Sequence, residues 1–380
     1  MRFQIDQMDL EKLLSTVSRA SEQRSVLPIL SNVLLQLEGD RLYAVGSNIE
    51  LTVQSSTVCQ PEQEGAVTLP AKELLSLVSL MNKGKVVKFD LDPSTVTMQI
   101  QSGKSKPKLK GISSEEFPET KSYPNSIEFL IPREKLVEGL GSTLYVVNPN
   151  ATNSMQRGLS LVFESGVCRL YAADGFRMAQ YTIELPDLEL DERIEVIAPL
   201  RSLIEVRNIF GREKAEIIRI TVDSDENGDN RMLHFDADEI SISSQVISGG
   251  FAKDLDSFLP EASTTVRVNS GELRTALKIL STFSSDSNNS CDFSFREDSV
   301  YMFAQSQERG SDEEEIDAEL EGSTYDSIYN VKYLLDALDS FDTETVLLKG
   351  RSMGVAVVLT VESEERPELI AAMSPMARNS

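Results

Sequence analysis

The sequence predicts an α+β fold made of three copies of one module, in which two helices pack on antiparallel sheets. One helical phrase occurs three times, as "LPAKELLSLV", "APLRSLIEVRNIF" and "YNVKYLLDAL". Each phrase has a basic residue two positions before a pair of large aliphatic residues, and these basic residues, 129 and 131 residues apart, are Lys72, Arg201 and Lys332. A tyrosine in an alternating strand pattern recurs at intervals of 128 and 130, as Tyr43, Tyr171 and Tyr301. This period is that of a whole domain, because solenoid repeats are only about 20–50 residues long.

The elements of a module follow one order. Each module begins with a helix whose apolar residues recur at helical spacing: "DLEKLLSTVSRA" at 9–20, "PREKLVEGLGSTL" at 132–144 and "SGELRTALKILSTF" at 270–283. Hairpin-linked strands that include the tyrosine come next, and the helix with the basic residue follows them. The module closes with further alternating strands, such as "KVVKFDLDPSTVTMQI".

Turn-forming residues mark the two junctions between modules, near residues 124–126 and 260–264. We therefore predict three domains, which span residues 1–125, 126–261 and 262–380. The third domain includes the C-terminal tail.

The composition is that of a globular protein, with 40% hydrophobic and 26% charged residues. The opening "MRFQIDQMDL" has an acid at position 6 and no apolar core, which argues against a signal peptide or an anchor. No window reaches the roughly 20 apolar residues of a membrane span. The cysteines are widely spaced within apparent strands, which indicates reduced, buried thiols in a cytosolic protein; they are Cys59, Cys168 and Cys291.

The charge is distributed unevenly between the helices and the rest of the chain. A net charge of −24 argues against a protein that binds nucleic acid by bulk electrostatics. The six predicted helices with their flanks hold 15 Lys or Arg and 12 Asp or Glu, which leaves −27 on the remainder; the stretches are 7–24, 71–85, 132–147, 198–214, 270–284 and 330–342. Lys and Arg are common around amphipathic helices, but a basic residue at the same position of three modules favours a shared cationic surface.

The sequence offers little for catalysis or for metal binding. The lone histidine, His234, lies in a strand pattern without a second His or a nearby Cys, so nucleophilic triads and zinc sites lack parts. The run 223–234 imitates a calcium loop through Asp223, Asp225, Asn227 and Gly228. Position twelve is His234 instead of the bidentate glutamate, and strands flank the run, so a hairpin turn is favoured. We predict no catalytic residue, no metal and no cofactor, although the many carboxylates leave a two-acid glycosidase open.

Three phrases resemble those of the bacterial DNA polymerase III β subunits, the sliding clamps. They are "LPILSNVLLQLEGDRLYAVGSNIEL" at 27–51, "LYAADGFRMAQ" at 170–180 and "MSPMARNS" at 373–380, and the resemblance extends over the whole chain in order. It implies the DNA clamp fold: two subunits joined head to tail in a ring of six modules, with twelve helices around a hole for duplex DNA. It also implies a cytoplasmic, nucleoid-associated processivity factor for DNA replication that is not itself catalytic. Its partners would be the replicative polymerase, the clamp loader and other DNA-processing proteins, bound through short peptides.

On this resemblance, basic residues on and beside the helices would line the hole and meet phosphates without reading bases. The predicted DNA-lining residues are Lys12, Arg24, Lys72, Lys83, Arg201, Arg207, Arg274, Lys278 and Lys332.

Two charge runs predict the contact between subunits. "GKSKPKLKG" at 103–111 has lysines at every second position, the period of one strand face, and "QERGSDEEEIDAELEG" at 307–322 is strongly acidic. Each run alone is typical of a solvated strand face. In the clamp family the corresponding segments face each other across the subunit boundary. The predicted dimer residues are Lys104, Lys106, Leu109, Ile279, Leu280, Glu308, Asp312 and Glu313.

The family also has an apolar cleft, between its second and third domains and the tail, that captures a Gln-x-x-Leu-Phe-like peptide. The residues carried over to it are Gln156, Ala173, Gly175, Phe176, Arg177, Met178, Phe258, Gly354, Pro375, Met376 and Arg378. Phe176 replaces a usual histidine, Gln156 stands where an aliphatic residue is common, and the tail extends past Pro-Met. We therefore expect an altered peptide preference; ordinary core packing is the alternative for Phe176 and Met178.

Two other functions stay open from the sequence: a clamp-type ring that serves only as a protein-interaction hub, and an acidic, β-rich hydrolase.

Overall fold

The computed structural model of the chain describes residues 1–22, 27–119, 121, 123–250, 261–353 and 356–377. The chain forms two compact units, residues 1–134 with 201–246, and residues 135–200 with 247–380. The described ranges contain six α-helices: α1 (Gln7–Val17), α2 (Ala71–Ser79), α3 (Arg133–Thr143), α4 (Leu200–Phe210), α5 (Ser270–Ser284) and α6 (Val331–Phe341). None of these helices is long and apolar enough to cross a bilayer.

The strands of the first repeat are β1 (Arg2–Asp6), β2 (Asn32–Glu38), β3 (Arg41–Ser47), β4 (Leu51–Val58), β5 (Gln60–Gln63), β6 (Gly65–Pro70), β7 (Val86–Asp92), β8 (Thr97–Gln101) and β9 (Lys108–Lys110). Those of the second are β10 (Asn125–Pro132), β11 (Gly158–Glu164), β12 (Gly166–Ala173), β13 (Arg177–Leu185), β14 (Ile194–Pro199), β15 (Ile217–Ser224), β16 (Asn230–Ala237) and β17 (Ile240–Gln245). Those of the third are β18 (Thr264–Asn269), β19 (Ser290–Phe295), β20 (Ser299–Ser306), β21 (Gly310–Gly322), β22 (Tyr325–Asn330), β23 (Thr345–Met353), β24 (Ala356–Glu362) and β25 (Leu369–Met373).

Residues 1–134 with 201–246 contain two antiparallel sheets. One has the order β5-β1-β7-β8-β9 and the other the order β10-β15-β16-β17-β4-β3-β2-β6. Helix α1 packs on α2 and on β4 and β3. Its apolar stripe (Leu10, Leu13, Leu14 and Val17) is buried, as the helical spacing predicts. Asp6 caps the helix by accepting the Met8 amide at 2.8 Å.

Residues 135–200 with 247–380 contain one antiparallel sheet of twelve strands. Its order is β14-β11-β12-β13-β25-β24-β23-β18-β21-β20-β19-β22. Helix α5 packs on β21, β20 and α6. Asn269 caps α5 through the Glu272 amide, and Asn330 caps α6 through the Tyr333 amide. All six predicted helices are therefore present, with ends within a few residues of those expected.

One hydrogen bond aligns the three repeats. The first residue of the first helix donates its amide to the carbonyl just before the strand that follows the second helix: Gln7 to Lys85 at 3.0 Å, Arg133 to Glu216 at 2.9 Å, and Ser270 to Glu344 at 2.9 Å. Positions counted from Gln7, Arg133 and Ser270 are therefore equivalent along the first helices. The second helices are aligned separately, by their basic residues, because the segments that connect the two helices differ in length between repeats.

Neighbouring repeats share sheets through equivalent strands. The strand after the tyrosine strand continues the sheet into the next repeat, where it pairs with that repeat's last strand: β4 with β17, and β13 with β25. In the third repeat the equivalent of β4 and β13 is β21, and in the first repeat the last strand is β9. Strand β9 lies at the edge of its sheet. In β21, β18 pairs with residues 318–322, whereas residues 310–317 pair only with β20 among the described strands.

The cysteine prediction is partly wrong. Cys168 in β12 and Cys291 in β19 are buried, and burial raises the pKa of both thiols, that of Cys291 to about 12. Cys59 is only half-buried and lies between β4 and β5 instead of within a strand. All three thiols are free.

Candidate nucleic-acid interface and peptide cleft

Most of the predicted DNA-lining side chains lie on or just past the helices and are exposed. Lys12, Lys72, Lys83, Arg201, Lys278 and Lys332 are exposed, and Arg207 and Arg274 are half-buried. Arg24 lies outside the described residues. The three landmark cations, at equivalent positions of α2, α4 and α6, are therefore all available to solvent.

Some of these cations are already partnered. Lys12 contacts Glu213 at 3.0 Å, and Arg274 contacts Asp339 at 3.1 Å. Arg201 lies 4.0 Å from Glu22. Among the predicted DNA-lining residues that the structure describes, those that form no ion pair are Lys72, Lys83, Arg207, Lys278 and Lys332.

The cationic excess comes from the ends of the helices, not from the helices themselves. Within the bounds of α1–α6 there are nine Lys or Arg and nine Asp or Glu, so the net charge there is zero. The positive flanking residues follow the C-terminal ends of α1, α2 and α4; they are Arg19, Arg24, Lys83, Lys85, Arg212 and Lys214. The excess belongs to the first two repeats and is absent from the flanks of α5 and α6.

An open groove of about 620 Å³ runs between α1 and α2. Its walls combine ammonium and hydroxyl groups with one carboxylate and two apolar side chains; they are Lys12, Lys83, Ser15, Ser76, Ser79, Glu11, Met8 and Leu75. Lysine ammonium groups contact phosphate oxygens without reading base edges, whereas the hydroxyls of Ser15 and Ser79 already donate to the Lys12 and Ser76 carbonyls. Its two lysines therefore offer phosphates a sequence-independent contact, which the Glu11 carboxylate opposes.

The lysine run is only partly a strand. Lys108 and Lys110 flank Leu109 on β9, whereas Lys104 lies in a turn and Lys106 in the segment before the strand. The expectation that all four lysines share one strand face is therefore wrong. Lys104 and Lys106 are nevertheless exposed, and Leu109 is half-buried opposite Met98.

The acidic residues chosen on β21 do not share a face. Asp312 lies opposite Ala304, and Glu313 lies opposite Phe303, so their side chains point to opposite sides of the sheet. Glu313 accepts a hydrogen bond of 2.6 Å from the Tyr301 hydroxyl. Glu308 is exposed in the turn that precedes the strand.

Of the two apolar residues predicted on α5, only one reaches the surface. Ile279 is 41% exposed, whereas Leu280 is fully buried inside its own repeat. Leu280 therefore cannot supply an intersubunit contact as the sequence led us to expect.

The predicted cleft residues of the second repeat cluster at the turn between β12 and β13. Asp174 shapes this turn, because its Oδ1 accepts the amides of Phe176 and Arg177, each at 2.9 Å. Gly175 has a φ of +94°, and a Cβ there would lie 3.3 Å from the side-chain Nε2 of Gln156. Phe176 is 66% exposed, which rules out the core-packing alternative for it.

Met178 lies on β13 between two small neighbours. It pairs with Ala173 on β12 and with Ala372 on β25, and it is half-buried.

The C-terminal tail closes this region. The Ser374 amide donates to the Phe176 carbonyl, and the Met376 amide donates to the Ile328 carbonyl on β22, both at 2.8 Å. Pro375 and Met376 are half-buried. Phe258, Gly354 and Arg378 lie outside the described residues.

Arg177 connects the second repeat to the third instead of lining an open wall. Its guanidinium contacts Asp174 at 3.1 Å and Asp336 of α6 at 2.6 Å, and it donates to the Tyr145 carbonyl at 3.2 Å. It also stacks over the Tyr333 ring at 4.3 Å. Only 13% of its side chain is exposed, so these contacts use most of its donors.

A second arginine reinforces the same junction. Arg366 contacts Glu138 of α3 at 2.7 Å and caps α6 by donating to the Ser340 and Phe341 carbonyls. The Tyr181 hydroxyl donates to Glu138 at 2.8 Å. Burial opposes ionisation of Glu138, but this hydrogen bond and the charges of Lys135 and Arg366 outweigh it and lower the pKa of Glu138.

Three residues of this junction, Asp174, Asp336 and Arg366, were not predicted from the sequence. The sequence does mark Asp336, because an acid recurs at its position in two repeats. Asp336 and Glu205 each lie four residues after the basic landmark of their helix.

The calcium-loop imitation is a hairpin, as predicted. Residues 225–229 form the turn between β15 and β16, where Asp225 accepts the amides of Asn227 and Asp229. His234 is held between Ser243 at 2.8 Å and Asp223 at 3.1 Å, which is a structural arrangement. The described residues include no group of three or more His, Cys, Asp or Glu able to hold a metal.

Comparison with known proteins gives one family along the chain. The N-terminal, central and C-terminal domains of the DNA polymerase III beta subunit match residues 1–121, 130–253 and 256–374. The beta sliding clamp of Synechococcus elongatus is 26% identical over 365 residues (95% of each chain), and that of Pseudomonas aeruginosa is 25% identical over 377 residues (98% of this chain and 100% of the relative). The crystal structure of the DNA polymerase III subunit beta from Pseudomonas aeruginosa superposes with a TM-score of 0.90 at 22% identity, over 99% of this chain and 100% of that one. The sliding clamp from Bacillus subtilis does so with a TM-score of 0.90 at 22% identity, over the whole of both chains.

Proposed function

The chain belongs to the family of DNA polymerase III beta subunits, and from this premise we propose how its residues serve a DNA clamp. The protein is a sliding clamp that supports the processivity of a DNA polymerase. The observation that carries this function is the threefold repeat, in which exposed cations recur at one position of the second helices while the rest of the chain is acidic. A mildly cationic wall meets phosphates weakly, which suits a protein that stays on DNA by encircling it.

We infer that two chains close head to tail into a ring of six repeats, with domains 1–125, 126–261 and 262–380 in each chain. The repeats themselves support this arrangement. Strand β21 is equivalent to β4 and β13, which pair with the last strand of the next repeat, and β9 is the last strand of the first repeat. Pairing β21 of one chain with β9 of another would repeat these joints and place acidic residues beside Lys108 and Lys110. A heterologous contact of this kind forms a closed ring when its rotation closes.

The inner surface is proposed to consist of the exposed helix cations and the groove between α1 and α2, which Lys12 and Lys83 line. Because the flanking cations follow α1, α2 and α4, the first two repeats would make most phosphate contacts. The protein would be non-enzymatic and cytoplasmic, and it would need a clamp loader to be placed on DNA.

The peptide cleft is proposed at the β12–β13 turn and the tail, where Phe176 and Met178 offer apolar surface. Anchoring residues of a short peptide bind in such apolar clefts. A labelled Gln-x-x-Leu-Phe peptide should bind the parent chain, and Phe176→Ala should weaken binding several-fold. Leu130→Ala, which removes a side chain that is likewise exposed, serves as the control and should leave the affinity unchanged. Equal binding by parent and Phe176→Ala would place the cleft elsewhere.

Topology-dependent retention tests the clamp function itself. Loaded onto nicked circular DNA by a bacterial clamp loader, the protein should remain bound through gel filtration and should be released when the circle is linearised. Retention on linear DNA would indicate ordinary binding, and no retention on either substrate would favour the protein hub.

A further inference from the structure

At each of the two boundaries between repeats in the chain, an ion pair links one repeat to a helix of the next. We call this the helical side of the joint, as distinct from the strand side, where the strands of the two repeats pair. Arg19, just past α1, contacts Glu205 of α4 at 3.0 Å, and Arg177 contacts Asp336 of α6 at 2.6 Å. Glu205 and Asp336 occupy equivalent positions of the second helix in the following repeat. An arginine of one repeat therefore meets the second helix of the next repeat at both joints.

The third repeat contains the same turn that carries Arg177. In the second repeat, Asp174 Oδ1 accepts the amides of Phe176 and Arg177. In the third repeat, Ser306 Oγ accepts the amides of Glu308 at 3.2 Å and Arg309 at 3.0 Å. Both turns begin the strand that leads into the next repeat, so Arg309 is placed as Arg177 is.

The guanidinium groups give a second, independent match. Arg177 donates to the Tyr145 carbonyl at 3.2 Å, and Arg309 donates to the Thr282 carbonyl at 3.3 Å. Tyr145 and Thr282 are equivalent, since each lies 12 residues after the first residue of its repeat's first helix. Arg309 is therefore the third-repeat counterpart of Arg177.

Arg309 differs from Arg177 in having no carboxylate from a following repeat. It is exposed and forms no ion pair with any described residue. Asp286 of its own repeat is the charged group that faces it: Asp286 accepts a hydrogen bond from the Ser306 hydroxyl, and the Arg309 charge adds to the lowering of the pKa of Asp286. One terminal nitrogen of the guanidinium is thus held by the Thr282 carbonyl, while the side chain remains exposed to solvent.

The second helix of the first repeat offers a matching acid. The equivalent of Asp336 in α2 is Ser76, and the equivalent of Tyr333, on whose ring Arg177 stacks, is Glu73. Glu73 is exposed and, like Arg309, forms no ion pair within the described part of the chain. In a head-to-tail ring, the repeat that follows the third is the first repeat of a second copy.

We propose that Arg309 pairs with Glu73 of the partner subunit and that this pair closes the helical side of the joint between the two copies. The inference rests on the proposed ring. In this pair the cation belongs to the third repeat and the acid to the first. On the strand side the charges are the other way round, with the lysines in the first repeat and the acids in the third. Two contacts of opposite polarity specify one register, because a slipped joint would bring like charges together.

Charge reversal tests the pair through the dissociation constant of the dimer, measured by analytical ultracentrifugation. Glu73→Arg and Arg309→Glu each place like charges at both joints of the ring. An exposed pair contributes a factor of up to about five, and repulsion costs a similar factor, so each single reversal should raise the dissociation constant of the dimer about tenfold. The double reversal restores the pair with opposite sign and should return the constant to within about threefold of the parent.

Arg296→Glu is the charge-matched control, because Arg296 is an exposed arginine at the other end of the β20 strand in the same repeat. It should leave the dimer intact. The Arg309–Glu73 pair is wrong if the parent is a dimer that neither single reversal weakens, or if the double reversal fails to restore affinity. Either result would leave the proposed ring unaffected. A parent that stays monomeric at micromolar concentration and low salt would overturn the ring and this inference with it.

Discussion

Replacing Arg177 with methionine should destabilise the junction between the second and third repeats more than any single surface change. The substitution keeps most of the aliphatic volume but removes the guanidinium. Asp174 and Asp336 would then lose the cation that both contact. The Tyr333 ring would lose its stacked charge.

The magnitude follows from how deeply these groups are buried. Removing one partner of a buried ion pair costs about 3–5 kcal/mol, and exposed pairs contribute about 0–1 kcal/mol. The side chains of Arg177, Asp174 and Asp336 are 13%, 10% and 32% exposed, which is nearer the buried limit. We expect a loss of about 3 kcal/mol, and since a body of roughly 150–250 residues shifts by about 2–4 °C per kcal/mol, the midpoint of its thermal transition should fall by about 6–12 °C.

Urea unfolding and calorimetry measure the effect, with Arg296→Met as the matched control. Arg296 also pairs with a carboxylate and stacks on a tyrosine ring, at 3.2 and 4.9 Å, but it is half-exposed, so its loss should cost less than about 1 kcal/mol. Adding Asp336→Asn to Arg177→Met should recover part of the stability, because one uncompensated carboxylate is removed. A loss below about 1 kcal/mol for Arg177→Met, or strict additivity in the double variant, would refute this reasoning.

Three further outcomes are expected. The pKa of Glu138 is lowered in the folded protein, so its ionisation stabilises the fold above the ordinary carboxyl pKa of about 4.3, and this stability is lost as the pH falls through the lowered value. Glu138→Gln should therefore reduce the loss of stability at acid pH, measured by denaturation at a series of pH values. An unchanged loss would assign it to other carboxylates. Gly46→Ala should destabilise the first repeat strongly, because the new Cβ would lie 2.0 Å from a backbone carbonyl of α1, and a melting midpoint equal to that of the parent would show that the helix can move aside. Joint replacement of Lys72, Arg201 and Lys332 by alanine should shorten retention on nicked circular DNA and flatten its salt dependence without lowering the melting midpoint, and unaltered retention would exclude these cations from the phosphate contact.

Periodicity predicted the fold well because the repeat supplied three independent samples of each element. Six helices and their order followed from apolar spacing and from the recurring basic residue. The lysine run 104–110 was harder, since alternation of charge is shared by strands and by extended turns. Only Lys108 and Lys110 lie on a strand, and no residue type in the run distinguishes the two halves.

The candidate sites, too, could be predicted from the sequence only in part. Exposure of the helix cations could be predicted, because the apolar stripe of an amphipathic helix leaves its other face to solvent. The role of Arg177 could not, because a sequence match assigns a residue to a cleft without saying which donors are already used. The acids that hold it, Asp174 and Asp336, are 162 residues apart, and only tertiary structure brings them to one guanidinium.

Shared sheets mean that this chain cannot be shortened one repeat at a time. Because β4 pairs with β17 and β13 pairs with β25, a gene fragment encoding the second repeat alone would expose β17 on one side and β13 on the other. Such long unpaired edges promote association with other chains. A design that adds or removes repeats must therefore change both partner strands together.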